Sequence, residues 1–228
     1  MKSCLTRKPS YPAGAISAVL VAEPLFLPQA VNIEVVLQSV AQVGAASFPL
    51  LAERFRRALV DEAERYTYRP EEEVVGSGEN QVRQQMSSCE DFPPDSQYRT
   101  LANAFQSWLD SCLESLPEYP FSNRLRFDSF SLQRYPSGSI GITPHRDGRR
   151  YINLICIFAI GGRGRFFICA DRAGSAAVQI DASPGSVILM RAPGFLGSNL
   201  RPFHYVTGIT GTRYSFGMRQ LRDPGQGR

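Results

Sequence analysis

The spacing of apolar positions changes character near residue 120. Before it the pattern is helical. Residues 31–43 place Val31, Val35, Val36, Val40 and Val43 close to a helical period and predict a helix. Ser47 stands where it would cap a second helix running through Leu51, Phe55, Leu59 and Ala63, whose Arg- and Glu-rich opposite face reads as solvated. Residues 69–80 are polar, carry Gly76 and Gly78, and predict a loop; 82–89 predict a strand, and 91–95 a turn. A third helix over 98–116 sets Leu101, Phe105, Trp108, Leu109, Cys112 and Leu116 on one side and ends before Pro117.

After Pro120, short runs of β-branched and aromatic residues alternate with Gly and Pro, as in an all-β sandwich. The expected strands are 126–135, 139–145, 151–160, 165–170, 176–180, 186–191, 204–209 and 213–221. Eight strands favour a double-sheet jelly roll. The expected class is therefore α+β: a double-stranded β-helix (jelly roll) core with N-terminal helices packed on one sheet. Residues 1–120 would form a helical extension and substrate lid, and 121–228 the catalytic core, together one compact domain. There is no internal repeat and no low-complexity segment.

Composition narrows the class without deciding it. A hydrophobic fraction of 43% in 228 residues supports a real core in a single domain. No apolar run approaches the ~20 residues needed to span a bilayer. Lys2, Arg7 and Lys8 precede an apolar stretch at 13–22, but Pro9 and Pro12 interrupt it, so a first strand or extended arm is expected over a secretory signal. Five cysteines (Cys4, Cys89, Cys112, Cys156, Cys169) are odd in number and lack CxxC spacing, which argues against a disulfide framework or a cysteine-built zinc site. A reducing cytoplasm and a monomer are expected. The net charge is +4, and Lys2 and Lys8 are the only lysines, so the positive charge is almost wholly arginine. That bias suits an anionic partner, and genome-wide codon usage explains it equally well.

The chemistry lies in rare residues. The chain has two histidines, and His145 opens the triplet His145-Arg146-Asp147. On an extended segment, residues i and i+2 face one side, so His145 and Asp147 can address one ion. His204, at the start of a later strand, can supply a third ligand. Two imidazoles and a carboxylate make the facial triad of non-haem Fe(II) oxygenases, leaving positions for a 2-oxo acid and O2. Arg213 follows nine residues after His204, in keeping with a hairpin turning at 208–211. Arg213, Ser215, Gly217 and Arg219 alternate onto one strand face. Two inward arginines are costly unless an anion pairs with them, and the second carboxylate of 2-oxoglutarate would do so.

In order along the chain, Gln133-Arg134-Tyr135-Pro136-Ser137-Gly138, His145-x-Asp147, His204 and Arg213-Tyr-Ser-Phe-Gly-Met-Arg219-Gln220 resemble the AlkB-type branch of the Fe(II)/2-oxoglutarate dioxygenases. The resemblance covers 126–221, under half the chain. It implies that Arg213 holds the distal carboxylate of 2-oxoglutarate, that Arg219 sits near the keto-acid end, and that Tyr135 donates a hydrogen bond to the co-substrate. Ser215 and Gln133 stand where relatives often carry Asn. The implied reaction consumes O2, turns 2-oxoglutarate into succinate and CO2, and hydroxylates a C–H or demethylates an N-methyl group.

Bland alternatives accompany several of these residues. Arg219 could pair with Asp128 or Asp223, and Tyr135 could simply pack the sandwich. Arg146, Arg149 and Arg150, with Arg163 and Arg165, either form a basic rim beside the metal or decorate a solvated loop. Arg149 and Arg150 are the substrate-side candidates, and they stand where nucleobase-acting relatives carry acidic or polar groups. Three functions remain open. One is oxidation of methylated nucleic acid, with Tyr66, Tyr68, Phe166 or Phe167 stacking on bases. The second is the same chemistry on a protein side chain or small anionic metabolite. The third is a non-catalytic jelly-roll binding module. Residues 65–89 would form the lid.

Overall fold

The computed structural model describes residues 24–222; the N-terminal arm, Cys4 and Asp223 lie outside the described residues. In chain order the elements are α1 (Ile33–Val43), β1 (Ala45–Pro49), α2 (Glu53–Ala63), β2 (Arg69–Pro70), β3 (Val74–Val75), β4 (Val82–Arg83), β5 (Ser87–Cys89), α3 (Gln97–Glu114), β6 (Ser129–Tyr135), β7 (Ile142–His145), β8 (Tyr151–Cys169), β9 (Val178–Ile180), β10 (Ser186–Arg191) and β11 (Phe203–Leu221).

Helix α1 begins where Asn32 Oδ1 accepts from the Val35 N–H at 3.2 Å and ends at Gly44 in the left-handed region. Helix α3 is capped in the same way by Ser96, whose Oγ accepts from the Arg99 N–H at 3.0 Å. The second helix departs from expectation. Ser47 is no cap; it lies in β1 opposite Ile188 of β10, and α2 is led by Ala52 without a side-chain cap. Completing the ladder along β10 satisfies more backbone groups than one cap would. The loop expected over 69–80 holds β2 and β3, and the strand expected over 82–89 is split into β4 and β5.

The larger departure concerns the two longest strands. The runs 151–160 and 165–170 are one continuous strand, β8, and 204–209 and 213–221 are one strand, β11. No hairpin forms at 208–211. Instead β8 and β11 pair antiparallel along their whole length, with register shifts between Thr207 and Thr210 and again between Thr210 and Ser215. The two strands bend together where Gly162 (φ 74) lies against the Thr212–Arg213 backbone and Gly208 and Gly211 (φ 65 and 81) lie just before it in β11, a backbone conformation that glycine adopts without steric cost. Each strand therefore serves both layers of the sandwich. The major sheet runs β1-β10-β8-β11-β6-β5-β2, while β7 joins the early half of β11 and β9 the late half of β8 to make the minor sheet.

The bend also resets the alternation of side chains. His204 and Val206 face the sandwich interior from even positions, whereas Ile209, Arg213 and Ser215 do so from odd ones. The extra residue absorbed at the bulge near Gly208 makes this possible.

Alternation then sorts the apolar residues into two cores. Leu154, Cys156, Phe158, Val187, Leu189, Phe216 and Met218 face the helices, and Ile155, Ile157, Ile188 and Met190 face the space between the sheets. Helix α3 packs on the first group: Phe105 meets Phe158 edge to face at 4.9 Å, and Tyr98 meets Phe216 at 5.0 Å. Residues before 120 contribute strands as well as helices, because β1 extends β10 and β5 extends β6. The result is a jelly roll with its helices on one sheet and its other face, the interior, left for a site.

Candidate metal and co-substrate site

His145 closes β7 and stands directly opposite His204 in the β7–β11 ladder, with ring centroids 4.2 Å apart. Asp147 follows two residues later. Its Oδ1 lies 3.7 Å from His145 Nε2 and 3.5 Å from His204 Nε2, and ligand atoms of the three residues all lie within 4.8 Å of one another. The Nδ1 of His145 is 2.9 Å from the Thr143 carbonyl and that of His204 is 3.4 Å from the Pro202 carbonyl. A carbonyl only accepts, so in the tautomer that donates to it Nδ1 carries the proton and Nε2 is left for a metal. Phe166 stacks on the His204 ring at 5.7 Å.

Asp147 is held at both ends. Arg219 Nε donates to Oδ2 at 3.2 Å, and Arg201 Nη1 donates to the main-chain oxygen at 2.6 Å. Burial pushes the Asp147 carboxyl up, but with the Arg219 guanidinium as the largest opposing influence the group is held well below the usual range. Burial, and then the neighbouring His145, push His204 down. The donor set is two imidazoles and a carboxylate, one oxygen of which Arg219 leaves uncommitted. That set suits a divalent transition metal such as Fe(II), held from one side.

Deeper in the same pocket lies Arg213, 2% exposed. Its Nη1 donates to Ser215 Oγ at 3.0 Å, its guanidinium carbon lies 5.3 Å from the Tyr135 ring centre, and its Nη2 is buried without a partner. Tyr135 donates to Gln133 Oε1 at 3.1 Å, and Ser215 Oγ lies 3.4 Å from the same oxygen. Among the described residues no carboxylate faces Arg213. A buried guanidinium with a vacant donor calls for an anion, and a carboxylate meets its geometry. The pocket therefore fits 2-oxoglutarate, with the metal residues at one end and Arg213 at the other.

Of the residues singled out in the sequence, His145, Asp147, His204, Arg213, Arg219, Tyr135, Ser215 and Gln133 line this one pocket. Among the described residues the partner of Arg219 is Asp147 and not Asp128, whose carboxylate takes the Leu221 N–H. Arg149 and Arg150 are exposed on the turn after Asp147 and do not line the pocket; Arg150 donates to the Tyr151 hydroxyl. Arg163 and Arg165 lie away from Arg146, at the bend, opposite Thr210 and Thr207. Tyr66 and Tyr68 pack against the helix-side core, where Tyr68 meets Tyr214, and Phe167 stacks on Tyr205 beside it in the minor sheet. Only Phe166 of the four aromatic candidates reaches the pocket.

Sequence reasoning missed Arg201 and Gly164. Arg201 touches only the backbone of Asp147, 54 residues away, so no local pattern marks it. A Cβ on Gly164 would sit 2.8 Å from Arg213 Cδ and 2.7 Å from Ile209 Cδ1, so its lack of a side chain makes room for the arginine stem.

The fold has known counterparts. It aligns with a Trichoplax adhaerens prolyl hydroxylase in complex with a hypoxia inducible factor oxygen degradation domain peptide fragment (TM-score 0.61, 13% identity, covering 83% of this chain and 90% of that one). It aligns also with a Pseudomonas putida prolyl-4-hydroxylase (0.57, 16%, 84% and 100%) and with a 2OG-Fe(II) oxygenase-family oxidoreductase from Burkholderia pseudomallei (0.56, 14%, 86% and 93%). No family model and no curated protein matches the sequence. At such identities the likeness establishes the fold, the jelly roll of the 2OG-Fe(II) oxygenases. The AlkB-type subdivision suggested by the motifs is not carried by these structures. No helix among the described residues is long and apolar enough to cross a membrane.

Proposed function

We propose that this chain is an Fe(II)/2-oxoglutarate-dependent dioxygenase that oxidises a substrate C–H bond. The observation that carries the reading is one enclosed pocket with His145, Asp147 and His204 at one end and the buried, partnerless Nη2 of Arg213 at the other. His145, Asp147 and His204 would hold the iron through Nε2, Oδ1 and Nε2. Arg213, positioned by Ser215 and Gln133, would bind the distal carboxylate of 2-oxoglutarate, and Tyr135 would flank it. Arg219 would keep Asp147 ionised and oriented. When bound, iron with 2-oxoglutarate and O2 supplies the oxidising chemistry, with succinate and CO2 as co-products. The protein orients the groups and excludes water, and the β3–β4 hairpin beside β7 would act as the lid.

Two substrate readings compete. A peptide side chain is favoured over a methylated base: prolyl hydroxylases share the fold, one of them in complex with a peptide. The aromatic side chains Tyr66 and Tyr68 are spent in the core. A non-catalytic module is disfavoured, because a merely structural sandwich gains nothing from an unpaired buried arginine. The test is iron-dependent conversion of 2-oxoglutarate to succinate, assayed with peptide and oligonucleotide panels. His145→Ala should abolish it; iron binding and turnover persisting in that variant would refute the assignment.

A further inference from the structure

Beside His145 runs an open groove of about 840 Å³, walled by the β3–β4 hairpin on one side and by Arg146, Arg172, Arg201 and Phe203 on the other. The guanidinium carbons of Arg146 and Arg172 lie 4.0 and 5.6 Å from the Phe203 ring centre, Arg172 reaches across to the hairpin through long contacts to the Gln81 carbonyl and Asn80 Oδ1 at 3.4 and 3.5 Å, and Arg201 is anchored on the Asp147 carbonyl. Stacking fixes the side chains in place, so an incoming anion loses less entropy in ordering them. Among the described residues no carboxylate lies within salt-bridge distance of these three arginines. The acids that line the groove do not neutralise them. Asp171 accepts from the Ala173 and Ser175 N–H groups of its own turn at 2.9 and 3.0 Å, and Glu79 sits on the hairpin without an ion-pair partner.

We propose that this groove binds an extended acidic peptide, whose carboxylate side chains Arg146 and Arg172 receive next to the metal residues. The proposal rests on reading the centre as a peptide oxygenase and adds the charge of its substrate. An open groove whose guanidinium groups come from three loops suits an extended chain better than a compact metabolite, which an enclosed pocket would bury. A single-stranded nucleic acid would need a free aromatic face for its bases. Phe203 is the aromatic lining the groove, and guanidinium groups already cover it.

The test is fluorescence polarisation of a short labelled Glu-rich peptide with the whole iron-loaded protein. Its Gln-substituted counterpart and a single-stranded oligonucleotide of matched charge serve as comparisons. The Glu peptide should bind and the Gln peptide should not. Arg146→Gln with Arg172→Gln should weaken binding about tenfold, and Arg163→Gln, at the far bend, should leave it unchanged. Circular dichroism of each variant reports folding. Equal binding by both peptides, tighter binding of the oligonucleotide with the same arginine dependence, or no effect of the double variant would overturn the proposal. Succinate formation is followed separately. Peptide bound without turnover would sink the oxygenase reading and leave the groove standing; turnover indifferent to peptide charge would do the reverse.

Discussion

Arg219 Nε lies 3.2 Å from Asp147 Oδ2, while Oδ1 of the same carboxylate is turned toward both imidazoles. One oxygen is tied to the protein and the other is left for an ion. The pair therefore acts on metal affinity through orientation, and Arg219→Met should lower iron affinity about 10- to 100-fold, with Arg219→Lys recovering part of it. Equilibrium dialysis against iron measures this, and an unchanged affinity in Arg219→Met would refute the role.

Arg213 has the opposite balance, being a buried cation kept for a ligand. Arg213→Met should raise the 2-oxoglutarate requirement by about 30-fold to a few thousand-fold, since losing one partner of a buried ion pair costs about 2–5 kcal/mol. Without ligands the same substitution should stabilise the fold, because it removes an uncompensated buried charge. Thermal unfolding with and without 2-oxoglutarate reads both effects; a less stable ligand-free variant would contradict the picture.

Gly164→Ala offers a gentler probe of the same anchor. The added methyl would press on Arg213 Cδ and Ile209 Cδ1, so half-saturation by 2-oxoglutarate should rise while iron binding stays as it was. The overpacking should cost about 1–3 kcal/mol of stability. Paired iron and 2-oxoglutarate titrations check it.

Phe216 joins helices to sheet, touching Phe92, Tyr98, Phe130 and Phe158 at 1% exposure. Phe216→Ala should destabilise the fold by about 3–5 kcal/mol, as large-to-small changes in a packed core do. Urea denaturation followed by Trp108 fluorescence measures it.

Tyr135 gives the alkaline limb. Burial pushes its phenol up to about 12, although Arg213 and Arg219 pull it back. Below pH ~10 the folded and unfolded chains both hold the proton, and the contribution is intact. Between pH 10 and about 12 the unfolded chain releases it first, so stability falls as pH rises, by about 3 kcal/mol for this group. Tyr135→Phe should flatten that part of the stability profile; an unaltered slope would place the phenol in water.

What could be read in advance follows from range. The two histidines are rare enough to stand out, and Asp147 and the Arg213–Arg219 face follow from strand alternation over a few residues. The continuity of β8 and β11 was hidden because Gly161-Gly162 and Gly208–Gly211 carry the marks of turns. Here each lies within a paired strand, Gly161 opposite Tyr214 and Thr210 opposite Arg163, which only the assembled sheet reveals. Ser47 misled for the same reason: its ladder partner is Ile188, far along the chain. Arg201 and Gly164 act across the fold and leave no local trace.

The shift of alternation near Gly208 has a consequence for how this chain can diverge. His204 and Arg213 sit an odd number of residues apart yet face one pocket, because the irregular register between Thr207 and Tyr214 takes up the difference. Side chains on the outer face of 205–212 can therefore drift with little effect. Loss of one residue there would swing the arginine to the helix side and leave Tyr214 in its place. In lineages descended from this chain, the stretch between metal and co-substrate anchor should vary on its outer face, keep Gly208, Gly211 and the inward Val206 and Ile209, and hardly change in length.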